Sequence, residues 1–229
     1  MNLQPTKLRC LLYLLAVKKL AGADIEESEM SLKAIEKLVV ERGNQYLRAF
    51  RFVTRLELDV FFQKWDDAAN LLVAAGKLLP CMPGSFVGTR FTFLEALISI
   101  KAAQSKNESW LKKRRGKNKA LKAMKLIRGW VKKGNVNLVH SLHLLEAELA
   151  ALDKKPQKAE NSYKAAITVA STNGFLQDRA LSHELAGIYF AGKGDDYWKD
   201  YHMQQCLASY SEWGAAAKVR QLSMDNLDV

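Results

Sequence analysis

The stretch that decides the fold is LLEAELAALDKKPQKAENSYKAAITVASTNGFLQDRALSHELAGIYF, which occupies positions 144–190. Small residues recur in it at the offsets where two helices would cross, and one aromatic residue stands among them: Ala147, Ala159, Tyr163 and Ala166. Two helices approach to about 8–10 Å only where the side chains at the crossing are small, and an aromatic ring then fills the neighbouring groove. The stretch therefore predicts a closely packed helix pair.

Turn signals on either side divide residues 139–222 into four predicted helical segments. Pro156 begins one helix, Asn173-Gly174 ends it, and residues 192–194 and Trp213-Gly214 mark the next two turns. This spacing is typical of tetratricopeptide-type repeats, which are stacked pairs of antiparallel helices. The residues predicted to pack these repeats are Ala147, Ala159, Tyr163, Ala166, Gly174, Phe175, Tyr189, Trp213 and Gly214.

Residues 1–105 are interpreted as degenerate repeats of the same kind. Helical periodicity predicts helices at about 3–20, 30–42, 45–64, 65–79 and 89–105, with a connection rich in proline and glycine at 80–88. The longest apolar run in the first helix covers only the seven residues 11–17, and a membrane helix needs about 20. Because Lys18 and Lys19 follow that run, a helix packed in the core is favoured over a signal peptide.

No strand pattern is convincing, and we therefore predict a single all-α domain over 1–229, an antiparallel helix-pair repeat array of the α-solenoid type. Within it, 106–135 forms a basic connecting segment and helix, 136–222 holds the best repeats and 223–229 is a tail. The three cysteines form no paired motif, which favours a reducing, cytoplasmic compartment.

Positive charge is concentrated in one window. The chain has a net charge of +11, and residues 106–133 hold twelve basic residues and one acidic residue. The rest of the chain keeps 23 of the 35 Lys and Arg residues and 23 of the 24 Asp and Glu residues, so it is neutral overall. We therefore expect an anionic partner, if there is one, to bind at residues 106–133.

The densest part of the window offers six candidate anion contacts: Lys112, Lys113, Arg114, Arg115, Lys117 and Lys119. The plainest interpretation is a solvated, flexible turn that leads into an amphipathic helix from about residue 118. The alternatives are a nuclear-import signal, a site for an acidic partner and a nucleic-acid contact, all of which short basic runs also match by chance. Nucleic-acid modules usually interleave aromatic residues with the charge, and here only Trp110 and Trp130 flank it.

Catalytic and metal-binding patterns are weak. The sequence contains no GxxxxGK[ST] phosphate loop and no kinase catalytic-loop or DFG motif. His140 and His143 share a helix face near Glu146, but a metal site needs three or four convergent ligands. We therefore predict a non-enzyme without catalytic, metal-binding or cofactor-binding residues, and we assign the regularly spaced aromatic residues to the core.

Residues 136–222 resemble the C-terminal helical-repeat region of large multidomain signalling ATPases, which are fused to serine/threonine kinase, sensor histidine kinase or cyclase modules. The similar residues include Leu144–Glu148, Ala159, Tyr163, Ala166-Ile167, Asn173-Gly174-Phe175, Glu184-Leu185-Ala186, Tyr189, Tyr210, Trp213-Gly214-Ala215 and Lys218-Val219. Trp198, Lys199 and Cys206 depart from the small residues that the family favours.

The resemblance implies an array that relays or scaffolds in signal transduction. We expect its partner to be another protein or a neighbouring regulatory domain, and we expect no membrane span. The alternative is an anion-binding helical protein that uses residues 112–133 on nucleic acid or an acidic surface, with nuclear localisation through the basic segment.

Overall fold

A computed structural model describes residues 4–23, 44–76, 82, 84–105 and 108–225. These residues form ten α-helices, one 3-10 turn and no β-strand, which confirms the all-α prediction. We number the helices α1 Pro5–Ala21, α2 Gln45–Phe61, α3 Trp65–Ala75, α4 Phe86–Gln104, α5 Trp110–Lys132, α6 Val139–Leu152, α7 Pro156–Thr172, α8 Leu176–Lys193, α9 Asp196–Trp213 and α10 Ala216–Asp225. No helix in the described ranges is long and apolar enough to cross a bilayer.

Local sequence signals fix several helix starts. The side chains of Asn44 and Ser85 accept hydrogen bonds from backbone N–H groups in the first turns of α2 and α4, and Pro156 stands at the start of α7. The Ser85 cap begins α4 at Phe86, three residues before the predicted start. The helix predicted at 30–42 lies outside the described residues, as do parts of the 80–88 connection.

Residues 112–119 lie within helix α5, so the prediction of a flexible turn there was wrong. Gly116 lies inside α5, where this helix crosses α4. A Cβ atom at Gly116 would come within 2.8 Å of the backbone oxygen of Ser99. Glycine is therefore present to allow close helix contact, and its helix-breaking tendency is outweighed by the packing that it permits.

Residues 139–222 contain five helices, since α10 follows the Trp213-Gly214 turn, and the prediction of four was one short. Each of α6 to α9 packs along the next, α4 packs on α5 and α6, and α2 packs on α1, α3 and α4. The last helix, α10, contacts both α9 and α1. The first and last described helices therefore lie side by side.

Two buried glutamates connect neighbouring helices, and each contacts one tyrosine, one lysine and one glutamine. Glu148 on α6 accepts hydrogen bonds from Tyr163 of α7 at 2.8 Å and from Gln104 of α4 at 3.0 Å. It also lies 2.7 Å from the Lys101 ammonium. Because Glu148 is only 1% exposed, these partners replace water around its charge.

Glu184 on α8 repeats this arrangement with another tyrosine, lysine and glutamine. Tyr210 of α9 donates a hydrogen bond of 2.7 Å, Lys218 of α10 approaches to 2.6 Å, and the Gln63 amide donates as well. Glu184 and Lys218 are both fully buried. The buried thiol of Cys206 completes the surroundings, where burial and Glu184 raise its pKa.

The crossing at Gly116 gives the first prediction. We expect Gly116→Ala to destabilise the fold by about 1–3 kcal/mol because the new methyl group must displace backbone. Gly129→Ala, on the same helix with no atom within 4 Å of the added Cβ, should instead stabilise it by about 0.5–1 kcal/mol. Urea unfolding of both variants tests the crossing, and equal responses would contradict it.

The buried pair gives the second prediction. We expect Lys218→Met to cost about 3–5 kcal/mol, because it leaves the Glu184 carboxylate buried without its cation. The double variant Glu184→Gln with Lys218→Met should be more stable than Lys218→Met alone. Arg128→Met, which opens a half-exposed pair with Glu146, should cost less than about 1 kcal/mol. If Lys218→Met and Arg128→Met lower the free energy of unfolding by similar amounts, burial of the Lys218–Glu184 pair does not determine the cost.

Candidate functional site

A groove with a volume of about 460 Å³ runs between α7 and α9, with α8 beneath it. The α7 wall is mostly polar and consists of residues spaced three to four apart, so they share one helix face. The floor and the α9 wall are mostly aromatic. The residues that border the groove are Gln157, Glu160, Asn161, Tyr163, Lys164, Ile167, Thr168, His183, Phe190, Trp198, Tyr201 and His202.

The aromatic wall is open to solvent. Trp198 and Tyr201 stand one turn apart on α9, each is 43% exposed, and their rings meet at 86° with centroids 5.5 Å apart. Trp198 also stacks on Phe190 of α8 at 6.0 Å. A rigid pair of large rings that is half in water is a favourable anchor for another molecule, because little side-chain entropy remains to be lost on binding.

Two histidines form the inner end of this wall. His183 of α8 and His202 of α9 are buried, and their Nδ1 atoms are 3.0 Å apart. One of these nitrogens must donate and the other accept, so the two rings cannot both be protonated. Burial and the neighbouring His202 lower the pKa of His183 to about 3, and burial also lowers the pKa of His202.

A second cluster fills the contact between α2, α4, α6 and α8. Arg90 donates to Glu57 and Asp178, both at 2.7 Å, and Asp178 lies 3.0 Å from Nε2 of His140. Burial alone would raise the pKa of Asp178, but Arg90 and His140 lower it to about 2. The cluster borders a cleft of about 280 Å³. Arg90, Asp178 and His140 are buried, whereas the Glu57 side chain is 27% exposed. We interpret it as a structural anchor.

The histidines considered as metal ligands separate in the structure. His140 is buried against Asp178, whereas His143 is half-exposed and lies 3.5 Å from Glu146. Among the described residues, no group of three or more His, Cys, Asp or Glu side chains is placed to hold a metal ion.

The residues predicted to pack the repeats occupy three kinds of position. Ala147, Ala159, Tyr163 and Ala166 are buried in the core. Phe175, Tyr189 and Trp213 are half-buried at its edge, where Phe175 stacks on His140 and Trp213 contacts Phe61. Gly174 and Gly214 follow α7 and α9 with φ values of 72° and 83°, a backbone conformation that glycine adopts without strain.

The six candidate anion contacts have different surroundings on α5. Lys112, Lys117 and Lys119 form ion pairs with Glu108, Asp153 and Glu95. Arg114 lies over the Trp110 ring at 5.4 Å. Lys113 is half-buried, and Arg115 is exposed without a carboxylate partner among the described residues. The cations most available to an anion thus include only part of the predicted set.

Comparisons of this chain with models of known protein families, with curated proteins and with solved structures find no match. Inference about function therefore depends on the groove, on the basic helix and on the resemblance described for residues 136–222.

The sequence did not predict the groove. Trp198 was recognised as a departure from small residues, and Tyr201 and His202 stand at the helical offsets i+3 and i+4 from it. That spacing places the three rings on one face of α9. The spacing was a usable signal, but whether the face was buried or open depended on how α9 lies on α8.

The histidine pair gives the third prediction. Between pH 6.5 and about 3 the unfolded chain protonates His183, whereas the folded chain keeps this residue neutral. The free energy of unfolding should therefore decrease as the pH falls through this window, by at most about 1.4 kcal/mol per pH unit for this residue. His202 adds to the decrease in the same direction.

We expect His183→Gln to flatten the decrease between pH 7 and pH 5, measured by urea unfolding. His143→Gln, on the half-exposed histidine of α6, should leave the decrease in place. If the His183 variant retains the full pH dependence of the parent, another group is responsible for it.

Proposed function

We propose that this chain is a non-catalytic helical-repeat scaffold or regulatory module that mediates protein–protein or interdomain contacts in signal transduction. The groove between α7 and α9 is its binding surface, and its occupant is a peptide segment of a protein partner. The observation that carries the proposal is the half-exposed pair Trp198 and Tyr201, held on a rigid helix beside a polar wall.

A tetratricopeptide-like arrangement of α6 to α9 is part of this proposal. In both helix pairs, a buried glutamate on the first helix accepts a hydrogen bond from a tyrosine on the second, Glu148 with Tyr163 and Glu184 with Tyr210. Each glutamate is the fourth residue of a five-residue pattern LxxEL, at 145–149 and at 181–185. Equivalent residues that make equivalent contacts support a repeated structural unit.

The groove has the composition of a peptide-binding surface. Large aromatic side chains supply most of the binding free energy at protein interfaces, and polar groups at the rim fix the orientation of the partner. Trp198 and Tyr201 offer apolar surface, and the α7 wall offers amide and hydroxyl groups, such as those of Asn161 and Thr168. We therefore expect the occupant to insert an apolar or aromatic side chain against α9 while its backbone contacts α7.

The resemblance of residues 136–222 supports derivation from a multidomain ATPase or kinase and a role in the cytoplasm. Such a role requires no cofactor, and the partner is another protein or a neighbouring regulatory domain. The charged side chains that the core contains, such as Arg90 and Glu184, are buried and paired, which suits them to stabilise helix contacts.

The fourth prediction tests the groove with displayed random peptides selected on the purified chain. We expect enriched peptides to share an apolar or aromatic residue. Trp198→Ala and Tyr201→Ala should each weaken their binding at least about tenfold, equivalent to about 1.4 kcal/mol. Fluorescence anisotropy with one labelled peptide gives the affinities.

The control is Trp110→Ala, which removes an equally large ring that is 66% exposed on α5, outside the groove. This variant should bind the selected peptides with unchanged affinity. Thermal melts confirm that each variant is folded. Peptides that bind the Trp198 and Tyr201 variants as tightly as the parent would show that the groove is not the binding surface, as would selection without enrichment.

A further inference from the structure

The outer face of α5 carries a row of positive charge that the core does not use. Helix α5 contains no acidic residue. Its apolar side, formed by Ala120, Ala123, Met124 and Ile127, is buried. Six exposed cations lie on the opposite side, on α5 and the residue that follows it: Arg114, Arg115, Lys122, Lys125, Lys132 and Lys133.

These cations form two parallel rows. At 100° per residue, Arg114, Lys125 and Lys132 fall on one line along the helix, and Arg115, Lys122 and Lys133 fall on another, about 80° away. From residue 114 to residue 133 the rows extend for about 28 Å at 1.5 Å per residue. Asn118 and Gly129 lie between the two rows. Because their side chains are short, the middle of the face projects less than the lysines and arginines on either side.

Neighbouring carboxylates leave the two rows unneutralised. Glu95, Glu108, Glu146 and Asp153 approach α5, but each pairs with a cation at the flank or end of the helix. Among the described residues, none of the six outer cations forms an ion pair. Counter-ions in solution therefore balance this face, and a polyanion gains affinity by releasing them.

The turn after α6 extends the positive surface. An ion pair between Lys117 and Asp153 holds this turn against α5. Lys154 and Lys155 follow Asp153 directly and are exposed. The N-terminal half of the α5 face therefore has additional positive charge beside it.

We propose that the outer face of α5 binds duplex DNA through its phosphates, independently of the groove. A helix about 10–12 Å across fits the major groove of B-form DNA, which is about 12 Å wide. The two rows then face the phosphate strands on either side. Phosphate contacts position a protein without reading the bases, and the short residues between the rows give little base contact, so binding should be independent of sequence.

The geometry favours DNA over the other anionic partners. A helix that lies on a membrane inserts one continuous apolar side among the lipids. In α5, Ala120, Ala123, Met124 and Ile127 are buried against the core. The exposed Leu121 and Leu126 fall at opposite edges of the positive face at 100° per residue, and Trp110 and Leu111 stand at its N-terminal end, so the exposed apolar residues form no such side. Duplex RNA has a deep, narrow major groove that a helix cannot enter.

The fifth prediction tests this surface on the full chain with a fluorescent 20-base-pair DNA duplex of mixed sequence. We expect binding at low salt and a logarithmic affinity that falls steeply with the logarithm of salt concentration, by about 0.9 per phosphate contact. Combined replacement of Arg115, Lys122, Lys125 and Lys133 by glutamine should flatten the slope by about three to four.

The matched control removes the same charge elsewhere, by replacing Lys7, Arg9, Arg48 and Lys64 with glutamine. It should keep the slope and most of the affinity, and thermal melts establish that both variants are folded. A second duplex of different sequence should bind equally well. Vesicles rich in phosphatidylserine and an RNA duplex serve as competitors, and neither should displace the DNA at equal phosphate concentration.

Four results would overturn the proposal: no DNA binding at low salt, an unchanged slope in the α5 variant, an equal loss in the control variant, or stronger binding of vesicles or RNA than of DNA. The peptide selection described for the groove is unaffected by any of them, since Trp198 and Tyr201 lie on α9.

Discussion

The structure depends on carboxylates that are buried with their partners. Glu148 and Glu184 each receive a tyrosine hydroxyl, a glutamine amide and a lysine ammonium. A buried carboxylate without such partners costs several kcal/mol. The helices that supply the partners must therefore be in place together, which makes the packing of α4, α7, α9 and α10 on α6 and α8 mutually dependent.

Features that depend on local sequence could be predicted, whereas features that depend on contacts between distant residues could not. Helical periodicity, capping residues and the scarcity of proline are local signals, and they predicted an all-α chain and most helix bounds to within a few residues. The turn predicted at 112–119 is instead part of α5. Sequence alone could not assign Gly116 there, because a glycine that ends a helix and one that lets two helices touch look alike. Only the position of Ser99 on α4 distinguishes them.

The groove and the buried charges could not be predicted from sequence, because both depend on how distant helices pack together. Aromatic residues at helical spacing were assigned to the core, and Tyr163 and Tyr210 are indeed buried. Trp198 and Tyr201, at the same kind of spacing, are instead half-exposed. Gly187 lets α9 lie close to α8, since an added Cβ would approach Met203 to 2.8 Å. A lysine such as Lys218 is expected at the surface. It is buried here because it forms an ion pair with Glu184, which is distant in sequence.

The thiol of Cys206 makes the opening of the C-terminal helices measurable. It is fully buried beside Glu184, and burial raises its pKa, whereas Cys10 is exposed on α1. A thiol reagent in water can modify Cys206 only while α9 and α10 are transiently apart, but it reaches Cys10 in the native state. When reclosing is fast, the ratio of the two labelling rates therefore reports the equilibrium for local opening, without denaturant and without a partner.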